Sequence, residues 1–140
     1  TPSQLLTALP PGLGVINLQY SHTVDEVEEF SALAARFGLH FVNPPGIDLK
    51  DDLDDLLALI QSLTAVVGPL ISVPWMAAAV GTPAFVLRTE AKGHIWQQFN
   101  RSHVPWAPSM RLFFRTPKAP WQPVLATVKQ ALVDQFCNPT

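Results

Sequence analysis

Cysteine is almost absent from this sequence, and so are clustered basic residues and long uninterrupted apolar runs. The single Cys137 excludes an intrachain disulfide framework and is consistent with a reducing compartment, so we predict a cytoplasmic protein. The nine Lys and Arg residues are scattered and the net charge is −2, which argues against a nucleic-acid partner. Pro69 and Pro74 interrupt the longest apolar stretch, and a spanning helix needs about 18 apolar residues, so we predict no membrane span.

Apolar residues are abundant, at 48% of the 140 residues against 14% charged residues. A chain of this length fits one domain, which buries roughly two-thirds of the surface of its unfolded state. We therefore predict a single domain over residues 1–140. Both ends, Thr1-Pro2-Ser3 and Asn138-Pro139-Thr140, have the composition of linkers, which predicts a domain cut from a longer protein.

Short β-branched apolar segments alternate with amphipathic segments along the chain. The predicted strands are 14–18, 39–42, 65–67, 84–87 and 112–114. The predicted helices are 24–37, 51–63, 73–80 and 124–136, and residues 88–108 are predicted to be irregular. This alternation predicts an α/β fold with a parallel sheet, right-handed crossovers and helices on both faces.

Local signals define several ends of these elements. Thr23 and Glu26 have the spacing of a capping box at the start of the first helix, and Gly38 is a natural stop at its end. Gly81 lies in the turn between the third helix and the fourth strand, where we predict a positive φ angle. In parallel sheets ligands bind beyond the carboxyl ends of strands, which directs attention to the loops that follow them.

A polar tetrapeptide, Gln19-Tyr20-Ser21-His22, follows the first predicted strand. In an α/β sheet this position suits contact with the phosphates or ribose of a ligand, and a solvated turn explains the same residues equally well. The four histidines lack the spacing of metal ligands, so we predict no metal site.

A second candidate follows the third predicted strand, where Gly68-Pro69 leads into the helix that begins near Ser72 and Val73. Backbone N–H groups at a helix start attract phosphate, although a tight contact between helix and sheet explains the small residues too. The acidic residues between 48 and 55 indicate a solvated helix start, because calcium loops need glycine and alternating ligands. We predict that Trp96, Trp106 and Trp121 pack against a covering partner.

Several segments resemble the C-terminal domain of bacterial glycosyltransferases attached to tetratricopeptide repeats, which are related to heptosyltransferase-like families. The matching segments are 48–60, 63–67, 15–20 (VINLQY), 77–83 (AAAVGTP) and 105–113 (PWAPSMRLF). Their order and spacing cover most of the chain from Gly14 to Phe136. The resemblance implies the C-terminal half of a GT-B fold, a Rossmann-like doubly wound parallel sheet that binds the nucleotide of a sugar donor.

The resemblance also implies partners and contacts. The partners are a nucleotide-diphosphate sugar and a preceding N-terminal or repeat domain of the same protein, with metal-independent transfer, no cofactor and no turnover by this domain alone. The implied donor contacts are Gln19, Ser72, Val73 and Trp75, and no catalytic residue is assigned. Leu70, Ile71 and Trp75 stand where the family has Asp, Thr or Ser, and His, so the alternative is a degenerate domain that acts as a protein-interaction module. A dehydrogenase is disfavoured because no GxGxxG motif follows a strand.

Overall fold

A computed structural model describes residues 2–90 and 102–137. Within these residues the helices are α1 Pro2–Leu6, α2 Val24–Arg36, α3 Leu53–Ser62, α4 Ser72–Ala79 and α5 Gln122–Leu132, the last continued by a π-helical segment at Val133–Cys137. The strands are β1 Gly14–Ile16, β2 His40–Val42, β3 Val66–Pro69, β4 Ala84–Thr89, β5 His103–Val104 and β6 Ala107–Arg115. The protein is therefore a mixed α/β structure with parallel strands, as the alternation of segments predicts.

The chain divides into two compact units. The first unit comprises Thr1–Leu53 and Leu125–Thr140, and the second comprises Asp54–Val124. The prediction that residues 1–140 form one domain stays a prediction, because compact units can belong to one domain or to two.

The first unit contains a two-stranded parallel sheet in which β1 pairs with β2, with Gly14 opposite His40 and Ile16 opposite Val42. Its apolar core joins α1, α2 and the start of β2. The core residues are Leu6, Ala34 and Leu39, with Leu9, Leu13, Val15, Phe30, Leu33 and Phe41 packed against them. The rings of Phe30 and Phe41 stack with centroids 6.1 Å apart, which holds α2 against β2.

The boundaries of α2 confirm the local signals in the sequence. Thr23 is the N-cap, and both hydrogen bonds of its capping box with Glu26 are formed. The helix ends at Arg36, and Gly38 follows with a φ angle of 70°. Gly81 has the predicted positive φ, at 80°.

The second unit contains a four-stranded sheet with the order β3-β4-β6-β5, in which β5 is antiparallel to β6 and the other pairs are parallel. Its interior is almost entirely apolar. The buried residues of its sheet include Val66, Ala84, Phe85, Val86, Leu87, Met110, Leu112 and Phe113, and those of its helices include Leu56, Ile60 and Ala77. The Thr82 hydroxyl, which is buried, donates to the Ile60 carbonyl at 3.0 Å, so the polar group in this core is satisfied.

The prediction of an irregular segment over 88–108 is wrong where the structure describes it. The strand β4 continues to Thr89, and β5 and the start of β6 occupy 103–104 and 107–108. The predicted strand 112–114 is only the centre of β6, which has nine residues. Proline at 105 and 108 is typical of a loop, but pairing with β4 begins at Met110, so the missing N–H of Pro108 removes no bond to β4.

Two further differences concern the chain start and the helix ends. Pro2 and Ser3, which were predicted to lie in a linker, begin helix α1. The other predicted elements have the right type and their ends differ by a residue or two, except that α5 ends at Leu132 and a π-helical segment covers the rest of the predicted helix 124–136. None of the helices in residues 2–90 and 102–137 combines the length and apolarity that a membrane span requires.

Candidate functional site

Polar side chains follow both strands of the first unit at the point where each strand ends. Asn17 comes directly after β1, Asn43 comes directly after β2, and both side chains are half-buried. The Asn17 backbone N–H donates to the Val42 carbonyl at 2.9 Å, which continues the parallel pairing by one step. The two amides therefore meet at the carboxyl edge of this sheet, where Asn17 Nδ2 donates to Asn43 Oδ1 at 2.9 Å.

Asn17, Gln19, His22 and Asn43 form a closed series of hydrogen bonds, which we call the amide–imidazole circuit. The Gln19 backbone N–H donates to Asn17 Oδ1 at 3.0 Å, and the Asn17 amide then donates to Asn43. Asn43 Nδ2 lies 3.3 Å from His22 Nε2, and His22 Nδ1 lies 2.7 Å from the Gln19 carbonyl oxygen. The series thus begins at the N–H of Gln19 and ends at its carbonyl.

The circuit fixes the direction of every hydrogen bond within it. A backbone N–H can only donate, so Asn17 must present its oxygen to Gln19 and its NH₂ group to Asn43. The Asn43 NH₂ group then faces His22 Nε2, which must accept, while Nδ1 carries the proton donated to the Gln19 carbonyl. The 3.5 Å approach of Asn17 Nδ2 to His22 Nδ1 sets two donors side by side and is not a hydrogen bond. The circuit therefore requires neutral His22 with its proton on Nδ1.

The middle of the same loop is exposed. Gln19, Tyr20 and Ser21 all face solvent, and the Tyr20 side chain is 59% exposed. Gln19 was predicted to contact the nucleotide sugar. Its side-chain Nε2 donates a hydrogen bond to the Ser21 carbonyl at 2.6 Å. The loop thus exposes an aromatic ring and a side-chain amide, while hydrogen bonds of the amide–imidazole circuit hold its backbone.

The second predicted contact is the start of α4, which follows β3 in the second unit. Ser72 is the first helical residue and is exposed, and Val73 and Trp75 are half-buried. The N-cap is Ile71, which is 51% exposed and provides no side-chain hydrogen bond to the helix. The Ile71 N–H donates to the Pro69 carbonyl at 2.9 Å, and Pro74 has no N–H. The apolar N-cap therefore leaves the N–H groups of Ser72 and Val73 open to an acceptor.

Arg115 lies at the carboxyl end of β6, opposite Thr89 at the end of β4. Its Nη2 donates to the Thr89 hydroxyl at 2.9 Å, and its guanidinium carbon lies 4.4 Å from the ring centroid of Trp121. Its Nε is buried and has no hydrogen-bond partner. These contacts hold a cation at the carboxyl edge of the second sheet, and a basic residue that ends an apolar strand was the signal for it in the sequence.

The sequence-predicted contacts fall in different units, with Gln19 in the first and Ser72, Val73 and Trp75 in the second. Sequence reasoning missed Asn17 and Asn43. The available signal was their position, since each asparagine directly follows an apolar strand, where polar side chains gather in parallel sheets.

The three tryptophans that were predicted to pack against a partner differ from one another. Trp106 is 58% exposed beside the β5–β6 turn, and Trp121 is half-buried under the Arg115 guanidinium. Trp96 lies outside the described residues. Of the two tryptophans of this set that the structure describes, Trp106 is therefore the exposed one.

The acidic residues before α3 serve the backbone. The Asp48 carboxylate accepts the N–H groups of Lys50 and Asp51 at 2.9 and 3.0 Å. The hydrogen bond from Asp51, followed by that from Lys50, lowers the pKa of Asp48 below its usual value near 3.8, because both bonds favour the charged form. Over residues 2–90 and 102–137, no three His, Cys, Asp or Glu side chains are grouped so as to hold a metal ion.

Comparison with known proteins relates the chain to part of a longer protein. It is 36% identical over 124 residues to Protein FlbA of Caulobacter vibrioides, a match that covers 89% of this chain and 20% of FlbA. No family model matches the sequence. No solved structure matches it either. The chain therefore spans about a fifth of the length of the curated relative that it resembles.

Proposed function

We propose that this chain is the nucleotide-sugar donor-binding domain of a GT-B glycosyltransferase. In this proposal the two units belong to the C-terminal, Rossmann-like half of the fold, and a preceding domain of a longer cytoplasmic protein supplies the acceptor contacts. The observation that carries the proposal is the open start of α4 directly after β3, where Ile71 provides no cap. The order of the segments that resemble the glycosyltransferase family supports it independently.

The start of α4 has the chemistry that a diphosphate requires. The N–H groups of Ser72 and Val73 and the positive end of the helix dipole attract phosphate oxygens without a metal ion. The helix that follows contains Ala77, Ala78 and Ala79, whose small side chains allow close approach to the sheet. Such groups hold a donor in position and stabilise the charge that develops on its leaving diphosphate, which are the two sources of rate in metal-independent transfer.

The residues expected to contact the sugar donor contribute different chemical groups. Ser72 and Val73 contribute backbone N–H groups, and Trp75 lies in the same first turn. Gln19 contributes an exposed side-chain amide in the first unit. No residue of this chain is assigned as the catalytic base, which in this type of enzyme belongs to the preceding domain.

A second candidate function is a protein-interaction module that has lost donor binding. It is favoured by apolar residues in exposed positions, since Ile71 is 51% exposed and Trp106 is 58% exposed. It is favoured too by Leu70, Ile71 and Trp75, which replace hydrogen-bonding residues of the family. Exposed aromatic side chains are typical anchors of protein interfaces.

Calorimetric titration of the protein with uridine, guanosine and adenosine diphosphates separates the two functions. We expect measurable binding by the parent chain and tighter binding by the triple variant Leu70→Asp, Ile71→Thr, Trp75→His, which restores the polar side chains of the family. Gln19→Ala should weaken binding by about 1 kcal/mol, the scale of one hydrogen bond.

Val24→Thr is the control for these variants. Val24 is the first residue of α2 and is 74% exposed, so the change alters an exposed apolar residue at a helix start that is not one of the proposed contacts. It should leave the affinity unchanged. Absence of heat at millimolar diphosphate for the parent chain would contradict donor binding and favour the interaction module.

A further inference from the structure

We infer that Asn17, His22 and Asn43 are positioning residues that pre-form the 17–22 loop, so that the Tyr20 ring stacks on the base of a bound nucleoside diphosphate. This inference rests on the proposed function, from which it takes the class of ligand. Tyr20 is the contact residue, and the other three act through the loop backbone.

The circuit anchors the first part of the loop to the sheet. Asn17 and Asn43 are held at the ends of β1 and β2, and Asn17 is fixed further by its N–H bond to Val42. Through Asn17 and His22, the circuit holds both the N–H and the carbonyl of Gln19. Since both sides of one residue are bonded, the chain enters Tyr20 in a defined direction.

The capping box anchors the other end of the loop. The Thr23 N–H donates to Glu26 Oε2 at 2.7 Å, and the Glu26 N–H donates to the Thr23 hydroxyl at 3.2 Å. The side chain of Gln19 bridges to the Ser21 carbonyl and so closes the loop across Tyr20. Tyr20 is therefore the exposed tip between two fixed points, at the carboxyl edge where ligands of parallel sheets bind.

A rigid loop with an exposed aromatic ring is suited to stacking. The entropy of ordering the loop is lost on folding, so it does not oppose ligand binding. Every nucleobase has a flat face that can stack on an aromatic ring, and Tyr20 offers such a ring without a hydrogen bond that selects one base. The inference therefore predicts that uridine, guanosine and adenosine diphosphates all use Tyr20.

The sequence contains one tyrosine, which makes the test direct. Protein labelled with 3-fluorotyrosine should give one ¹⁹F signal, and this signal should shift with the same ligand dependence as the heat of diphosphate binding. Tyr20→Ala should weaken binding about tenfold, whereas Tyr20→Phe, which keeps the ring, should bind like the parent.

Variants of the circuit test the positioning role. Asn43→Ala should weaken binding roughly fivefold. This loss of affinity is smaller than the upper limit of the contribution of one hydrogen bond. It should also change the ¹⁵N signature of His22, which we expect to show the Nδ1-protonated neutral form in the parent. Ser62→Ala is the control, because this exposed hydroxyl donates to the Leu59 carbonyl within α3 and belongs neither to the circuit nor to the 17–22 loop. If Asn43→Ala does not fold, Asn17→Asp keeps the side-chain shape and removes the donor to Asn43.

The outcomes separate this inference from the proposed function. If diphosphates bind the parent while the Tyr20 signal stays fixed and Tyr20→Ala binds equally well, the inference is overturned and the proposed function stands. Equal affinity of the circuit variants and Ser62→Ala would overturn the positioning role alone. If no diphosphate binds the parent, the proposed function is overturned and the ligand contact of Tyr20 with it.

Discussion

Two loops of this protein follow the carboxyl ends of parallel strands. They differ in whether side chains form hydrogen bonds with their backbone N–H and carbonyl groups. In the 17–22 loop, side chains bond the N–H and carbonyl of Gln19, and Thr23 caps the helix that follows. In the 70–73 segment, Leu70 and Ile71 are apolar, and α4 begins without a side-chain cap. The comparison teaches that one position in a fold can offer a ligand either a presented side chain or the backbone itself.

The two solutions differ in their sensitivity to substitution. Each member of the amide–imidazole circuit is the partner of another, so loss of one leaves a polar group unsatisfied at a cost of about 1–3 kcal/mol when the group is buried. The start of α4 has no such partner to lose and can gain one. The first loop is therefore easy to damage, and the second is open to stabilisation.

The largest effect is expected at the other end of α4, where Gly81 closes the turn into β4. Gly81→Val should destabilise the protein by about 1–3 kcal/mol, because a β-branched residue resists the φ angle of 80° at this position. Urea unfolding gives the free energy directly.

Gly14→Val is the matched control for that substitution. An added Cβ meets no atom within 4 Å at either glycine, so the space available is the same, and Gly14 has no positive φ. The control should unfold at nearly the parent urea concentration. Equal effects of the two substitutions would show that the backbone angle of Gly81 is not the cause.

A smaller effect, of opposite sign, is expected at the start of α4. Ile71→Ser should stabilise the protein by about 0.5 kcal/mol, because a serine hydroxyl at the N-cap can accept the N–H of Val73, while Pro74 at the next position has no N–H. Thermal unfolding would measure the gain. Ile71→Ala removes the same apolar side chain without adding a cap, and a similar gain from alanine would mean that relief of apolar exposure, and not capping, stabilises the helix.

The smallest effect is expected at Asp48, whose carboxylate bonds two N–H groups in a third loop. Its pKa is lower when folded than when unfolded, so its contribution to stability is present above the usual value near 3.8 and is lost as the pH falls through the folded pKa. A ¹³C NMR titration of the carboxyl group should show the lowered midpoint. Asp48→Asn should remove this part of the acid sensitivity, and an unchanged acid profile would contradict the assignment.

Helix ends were predictable from the sequence because their causes lie within a few residues. The capping box needs only Thr23 and Glu26, and the turns after α2 and α4 need a residue that tolerates positive φ, which Gly38 and Gly81 provide. The alternation of apolar segments likewise predicted the α/β class. The finer identification of the fold as the C-terminal half of GT-B stays a prediction.

Strand lengths were less predictable, because a strand ends where its neighbour ends. The sequence predicted only 112–114, yet β6 runs from Ala107 to Arg115 since β4 pairs with it as far as Thr89 and β5 pairs with its first residues. The prolines at 105 and 108 are local signals for a loop, and the partners of β6 outweigh them. Such pairing depends on a segment far away in the sequence.

The sequence by itself determined the type and order of most elements, the caps of α2 and the glycine turns, because a few neighbouring residues fix each of them. Only the tertiary structure decided that Asn17 bonds Asn43, 26 residues away, and that His22 bonds Asn43 across 21 residues. Asparagine and histidine are common in turns, and nothing in their local spacing selects one partner. The parallel pairing of β1 with β2 brings these side chains together, and their donors and acceptors then allow one arrangement.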